Sequence, residues 1–293
     1  MRVRHHIRRI LPLLLVCLFA AGPSSAGDPT AIPAKTGKVR VASLVPFVGP
    51  ALDQLPSGRA ELVAIVRRSP TAKVEDVMDL GSPHGPSLEM LVASRPDLIV
   101  ADETMHLPMT DRLQEIAPVL MMDTASVNGT FESLKGLGRE VGAEKEMNAL
   151  VDAANTQLDE LRLKQPHPTL PLFGTPSRLL VMTDRTWFGD LLERIDLENL
   201  AGPLTGQERV PGYVLVSDEV LATMHPELIV VVAHGDPKAI EASLKEKTQD
   251  GGAWSSLAKG ARIHLIDAHE LSGNPGLDMP KVARSLRAFA VEP

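Results

Sequence analysis

The chain is poor in the residues that carry covalent and redox chemistry. Among 293 residues there is one cysteine, Cys17, and it sits in an apolar stretch near the start. With that segment removed, no thiol is left for a disulfide, a thiolate zinc site, an iron–sulfur cluster or a cysteine nucleophile. Aromatic residues make up only 3% of the chain, and one tyrosine, Tyr213, is the only source of a phenolate. There is no Gly-x-Ser-x-Gly elbow, His-Glu-x-x-His pair, P-loop or Gly-x-Gly-x-x-Gly turn, so enzyme chemistry of those kinds is not expected. Apolar runs of membrane-spanning length are also missing. The longest, residues 10–21, is too short and is interrupted by Pro12.

That run has another use. Arg2, Arg4, Arg8 and Arg9 precede it, and Ser24-Ser25-Ala26 follows it. A basic start, an apolar middle and a small-residue end form a secretory signal, with cleavage expected after Ala26. Cys17 follows Leu14-Leu15-Val16 with no small residue before it, so a lipid anchor is not expected and a free periplasmic protein is. Removing 1–26 leaves 26 basic against 37 acidic residues, a net −11. Nucleic acid and anionic lipid are poor partners for such a surface.

After a polar leader over 27–38, strands are predicted at 39–44, 61–66, 97–101 and 119–122, with helices at 87–95, 108–116 and 130–141 between them. This alternation means a parallel α/β sheet. Met147, Leu150, Val151, Ala154, Leu158 and Leu161 then recur at helical spacing with no Gly or Pro over 144–164, which predicts one long helix. A proline-rich stretch ends it. The alternation restarts with strands at 178–182, 228–232 and 263–266 and helices at 188–195, 217–223, 238–247 and 280–290. The expected fold is α/β: two parallel-sheet lobes, 39–143 and 166–293, joined by a bridging helix over 144–165, with a ligand cleft between the lobes.

One pattern occurs twice. Ser87-Leu88-Glu89 leads into Pro96-Asp97-Leu98-Ile99-Val100, and Ser217-Asp218-Glu219 leads into Pro226-Glu227-Leu228-Ile229-Val230 at the same spacing. Other motifs are Leu137-Gly138…Val141-Gly142 and Trp187-Phe188-Gly189-Asp190…Glu198-Asn199. In this order they resemble the iron-complex and vitamin B12 class of substrate-binding proteins of ABC importers, across most of the chain after the signal. The resemblance implies a monomeric receptor that binds one iron chelate, haem or corrinoid between rather rigid lobes. It also implies that Glu89 and Glu219 dock onto arginines of a permease dimer. An acid in the first turn of a helix is stabilised by the helix dipole in any case.

Two histidine loops bear on the cargo. The first is Gly81-Ser82-Pro83-His84-Gly85-Pro86 and the second Ala233-His234-Gly235-Asp236-Pro237. They are similar to the loops of haem-receptor lipoproteins of the iron-regulated surface determinant type, which carry a Met ligand in the first and a His ligand in the second. Here His84 stands at the Met position and His234 at the His position. The resemblance therefore implies bis-histidine ligation of haem iron, for which neutral imidazole is a suitable ligand. The plainer reading is two loop histidines bonded to backbone. Tyr213 and Trp187 are candidates for pocket walls or for ordinary core. Arg185 is a candidate partner for a propionate or siderophore carboxylate, or a surface arginine. Glu103 and His106, three apart, form a weak metal-binding pattern; His167, His225, His264 and His269 have no supporting context. A ferric siderophore or cobalamin receptor remains an alternative, although Arg67-Arg68 is the only basic cluster. A divalent-metal receptor using His84, His106 and His234 is a further alternative.

Overall fold

The computed structural model describes residues 37–291 except 57, 68–75, 176–177, 267–270 and 272. The signal, nearly all of the leader, Arg68 and His269 lie outside the described residues. The elements of the first half are β1 (Val39–Ser43), α1 (Val48–Asp53), β2 (Ala60–Ile65), β3 (Met78–Asp79), β4 (Gly81–Ser82), β5 (Gly85–Pro86), α2 (Leu88–Ala93), β6 (Leu98–Asp102), α3 (Glu103–His106), α4 (Thr110–Gln114), β7 (Val119–Met122) and α5 (Val127–Glu140). Next comes α6 (Glu144–Glu160). The second half adds β8 (Thr169–Thr175), β9 (Arg178–Met182), α7 (Trp187–Arg194), β10 (Gln207–Val210), β11 (Tyr213–Leu215), α8 (Asp218–Ala222), β12 (Leu228–Ala233), α9 (Pro237–Thr248), β13 (Arg262–Ile266) and α10 (Met279–Val291).

The first sheet has the order β3-β2-β1-β6-β7 and is parallel throughout. The second has the order β10-β11-β9-β8-β12-β13. Here the sequence expectation needs a correction. β8, β12 and β13 are parallel, but β9, β10 and β11 pair antiparallel. The two-lobed α/β class stands, with a mixed sheet in the second lobe. Sequence reasoning missed the short strands β3, β4, β5, β10 and β11 and also the central strand β8, which Pro168 and Pro171 hid. Proline normally argues against a central strand because it lacks a ladder N–H. Pro171 is tolerated because pairing with β9 begins only at Leu172.

The repeated pattern is structural. Ser87 and Ser217 each cap a short helix, accepting the N–H of Met90 (3.3 Å) and Val220 (3.4 Å). Leu91 and Leu221 bury the inward face of each helix. The Leu-Ile-Val runs that follow become β6 and β12, buried on both faces as parallel central strands require.

Helix α6 spans 17 residues, about 25 Å. It buries Met147, Val151, Ala154 and Leu158 as one stripe and packs against α5 and α10. Gly138 allows the approach to α5, since a Cβ there would lie 2.5 Å from Met147 Cβ. The lobes are also pinned directly. The Asp190 carboxylate, on α7, accepts the Val127 N–H at the start of α5 (2.7 Å). The Asn274 amide, in the segment before α10, donates to the Thr124 carbonyl (3.0 Å) and the Thr130 hydroxyl (2.8 Å).

A charged acceptor on a helix N-terminus is worth more than a neutral bond. Asp190→Ala should therefore lower the unfolding free energy by about 1–3 kcal/mol in urea titration, while Asp190→Asn should lose less. An unchanged midpoint for Asp190→Ala would show that the pin carries no stability.

Candidate functional site

The first wall of the cleft is built on a two-residue turn. β4 and β5 form a hairpin with Pro83 and His84 at its tip. Pro83 pre-sets the turn. The His84 N–H donates to Ser82 Oγ (3.2 Å) and leaves the imidazole exposed toward the cavity. At the base, the Gly81 N–H donates to Asp79 Oδ1 (2.8 Å), the Arg67 N–H donates to the Gly81 carbonyl (2.9 Å), and the Arg67 guanidinium pairs with the Asp79 carboxylate.

His106 supports the tip from beneath. It is only 1% exposed, and both ring nitrogens are engaged. The Asp102 N–H donates to Nδ1 (2.9 Å), so the ring proton sits on Nε2, which donates to the Pro83 carbonyl (2.9 Å). Burial holds this imidazole below the usual histidine pKa, against the smaller upward pull of the Pro83 bond and the Asp102 carboxylate. A ring with both nitrogens committed has no lone pair to offer a metal. The divalent-metal reading therefore loses one of its ligands. Among the described residues no group of three or more His, Cys, Asp or Glu side chains is suited to holding a metal ion.

The second wall stands at the carboxyl end of β12. The His234 N–H donates to the Gly174 carbonyl (2.6 Å) and so continues the β8 pairing one residue past the strand. Gly235 then turns the chain away with φ +114, a conformation that favours glycine. Phe173 packs between two rings, 5.2 Å from His234 at a 31° tilt and 5.2 Å from Tyr213 edge-on. Burial lowers the His234 pKa, and the nearby His84 imidazole lowers it further. Burial, aided by the Asp102 carboxylate of the facing lobe, pushes the Tyr213 phenol up to about 12, so it stays protonated as a donor.

Between the walls lies a cavity of about 550 Å³, a size suited to a small-molecule cargo. Leu44, Val45, Phe47, Pro83 and Met105 give it apolar surface, and Asp102, Thr124 and Asn274 give it polar points. The lining residues of the first lobe follow β1, β2, β6 and β7, and His234 follows β12, so the site sits beyond the carboxyl ends of the strands. Sequence reasoning missed Phe173, Asp102, Met105 and Asn274. The position of Asp102 at the end of a buried Leu-Ile-Val strand was the available signal.

The structure brings His84 and His234 to one cavity and leaves other named residues outside it. Trp187 is 6% exposed, stands edge-on to Phe188 (5.4 Å) and belongs to the core. Arg185 is exposed and ion-paired with Glu208. Neither is among the residues lining the cavity. Tyr213 is not among the lining residues either; it stands edge-on to Phe173, and its phenol feels the cavity-lining Asp102 carboxylate. Glu103 is exposed; His167 pairs with Glu227 (2.9 Å), His264 stacks on Phe289 (4.7 Å), and His225 is exposed. Glu89 and Glu219 are exposed in the first turns of α2 and α8. The neighbouring Asp218 is committed elsewhere, accepting from Trp254 Nε1 (2.6 Å) and Lys247 Nζ (3.2 Å).

A family model for periplasmic binding proteins matches residues 61–252. The chain belongs to that family. As a periplasmic binding protein it is a binding component and not an enzyme. No helix among the described residues is long and apolar enough to cross a membrane. The high-affinity heme uptake system protein IsdE of Staphylococcus aureus is 24% identical over 272 residues, covering 89% of this chain and 88% of the relative. The crystal structure of S. aureus IsdE complexed with heme shares the fold with a TM-score of 0.71 at 19% identity, covering 87% of this chain and all of that one. An ABC transporter substrate-binding protein from Listeria monocytogenes EGD-e gives a TM-score of 0.71 at 22% identity, covering 86% and 98%. S. aureus SirA complexed with staphyloferrin B gives 0.69 at 18%, covering 88% and 94%.

Because His106 and His234 titrate lower when folded than the ~6.5 of an unfolded histidine, the unfolded chain binds more protons just below that pH. Their contribution to stability is therefore complete above about pH 6.5 and declines as the pH falls through the lowered folded values. Titration of the imidazole Cε1–H signals by NMR should give midpoints below ~6.5 for both residues. A midpoint at or above that value for His106 would contradict the buried, doubly bonded ring.

Proposed function

We propose that this chain is a periplasmic receptor for an iron chelate, haem foremost, which it delivers to an ABC importer. The observation that carries the reading is the pair of imidazoles, His84 and His234, from opposite lobes at one largely apolar cavity. Haem needs apolar walls for the porphyrin and axial donors for the iron. Neutral imidazoles supply the donors without cysteine. Burial keeps His234 deprotonated near neutral pH, the state in which it can ligate. Arg67 lines the cavity with its guanidinium paired to Asp79. The secretory signal expected at 1–26 fits a cargo met outside the cytoplasm.

The similarity to IsdE, whose structure holds heme, supports this cargo. The similarity to SirA, whose structure holds staphyloferrin B, supports a ferric siderophore as the second reading. Against the second stands the scarcity of positive charge: among the described residues lining the cavity, Arg67 is the one arginine. Glu89 and Glu219 serve as the permease contacts. Each is an exposed acid in a Ser-capped helix, beside an exposed apolar side chain, Met90 or Val220.

Haemin added to the purified protein should give a low-spin Soret spectrum. His84→Ala and His234→Ala should each abolish that spectrum and weaken binding at least tenfold, or ~1.4 kcal/mol. An unchanged spectrum in both variants would defeat the ligand assignment, and preferential binding of a ferric siderophore in competition would favour the second reading. Glu89→Ala and Glu219→Ala should leave the haemin spectrum intact while reducing transport by the assembled importer. A transport rate equal to wild type in the double variant would remove these residues from docking.

A further inference from the structure

The hairpin that carries His84 has two-residue strands, too short to fix its own orientation. Its position must be set from outside. The peptide unit joining Pro83 to His84 is planar, so fixing both its ends fixes the start of the His84 side chain. Both ends are held: its N–H donates to Ser82 Oγ (3.2 Å), and its carbonyl accepts from His106 Nε2 (2.9 Å). The Asp102 N–H into Nδ1 prevents the His106 ring from rotating away and fixes its tautomer.

The bonding continues past His106. Asp102 caps α3 by accepting the Met105 N–H (2.6 Å), and its other oxygen accepts the Thr124 hydroxyl. The Thr124 carbonyl accepts from Asn274 (3.0 Å), on the segment that follows the second sheet. A single run of bonds thus links the His84 hairpin to a pin between the lobes. His106 borders the cavity, yet neither of its nitrogens is left to meet a ligand.

We propose that His106 is a positioning residue: it fixes the hairpin tip so that the His84 imidazole is presented to the iron of a planar chelate. This rests on the reading of His84 as an iron ligand. The sequence signal at His106 then has a different meaning from the metal pattern it first suggested. The residue acts on the metal site through the backbone of another loop.

Two variants separate donor from acceptor. His106→Asn keeps a short amide near Nδ1 and cannot reach the Pro83 carbonyl. His106→Gln places an amide donor near Nε2 and can reach it. With haemin, His106→Asn should bind roughly tenfold more weakly and show a high-spin component like His84→Ala, and His106→Gln should recover the low-spin band. A folded His106→Asn protein with the wild-type spectrum and affinity would overturn the proposal. Amide hydrogen exchange of the cargo-free protein gives a readout independent of haemin. His84 and Gly85 should exchange faster in His106→Asn, and unchanged exchange would overturn the positioning role. Failure of the wild type to bind haemin would overturn the parent reading alone. If His106→Asn does not fold, 15N shifts of the wild-type imidazoles decide: an Nε2–H tautomer of His106 kept on haemin binding supports the proposal, and any other state overturns it.

Discussion

A cleft that grips one object from two sides depends on the spacing of its walls. Here the spacing is set at the start of α5, where the second half of the chain holds the first through Asp190 and Asn274. The α6 helix joins the sheets and buries a stripe beside that contact, so the pins are reinforced by packing. With the walls held, His84 and His234 line one cavity from opposite sides, the arrangement that the proposed axial ligation requires. Without this constraint each imidazole would belong to a separate lobe, and a ligand would have to supply the energy of bringing the lobes together.

The two halves are alike at one end and unlike at the other. The Ser-capped helices α2 and α8 present Glu89 and Glu219 in the same way, each before a buried central strand. The histidines do not follow that symmetry. His84 sits on a hairpin before its helix, braced through the Pro83 carbonyl, and His234 directly extends a strand beside Phe173. Bracing of the first comes from hydrogen bonds and of the second from sheet pairing and ring packing. In the proposed haem complex, such different supports would let the two imidazoles differ in how readily they let go.

Much of this was legible in the sequence because it rested on local rules. Cap residues, the Leu-Ile-Val runs and the apolar stripe of α6 each declare themselves within a few residues. What stayed hidden depended on contacts far apart in the chain. Pro171 disguised a central strand, since nothing local reveals that β9 starts to pair one residue later. His106 and Glu103 shared a spacing that suggested a metal, and only the approach of the Pro83 carbonyl, 23 residues away, shows that both His106 nitrogens are committed. Trp187, at the start of a helix, was open to reading as pocket wall or as core, and only the fold shows that it is buried against Phe188. The histidine loops were legible because proline and glycine around them mark irregular backbone, but the meeting of both at one cavity is a property of the fold.

The central claim is that His84 and His234 bind one iron from opposite lobes. A crystal structure of the protein loaded with haemin tests it most directly. The account predicts a single porphyrin in the cavity, with an imidazole nitrogen of His84 on one face of the iron and one of His234 on the other, and His106 still bonded to the Pro83 carbonyl. Iron bound by only one of these histidines, or a porphyrin seated outside the cavity, would contradict it.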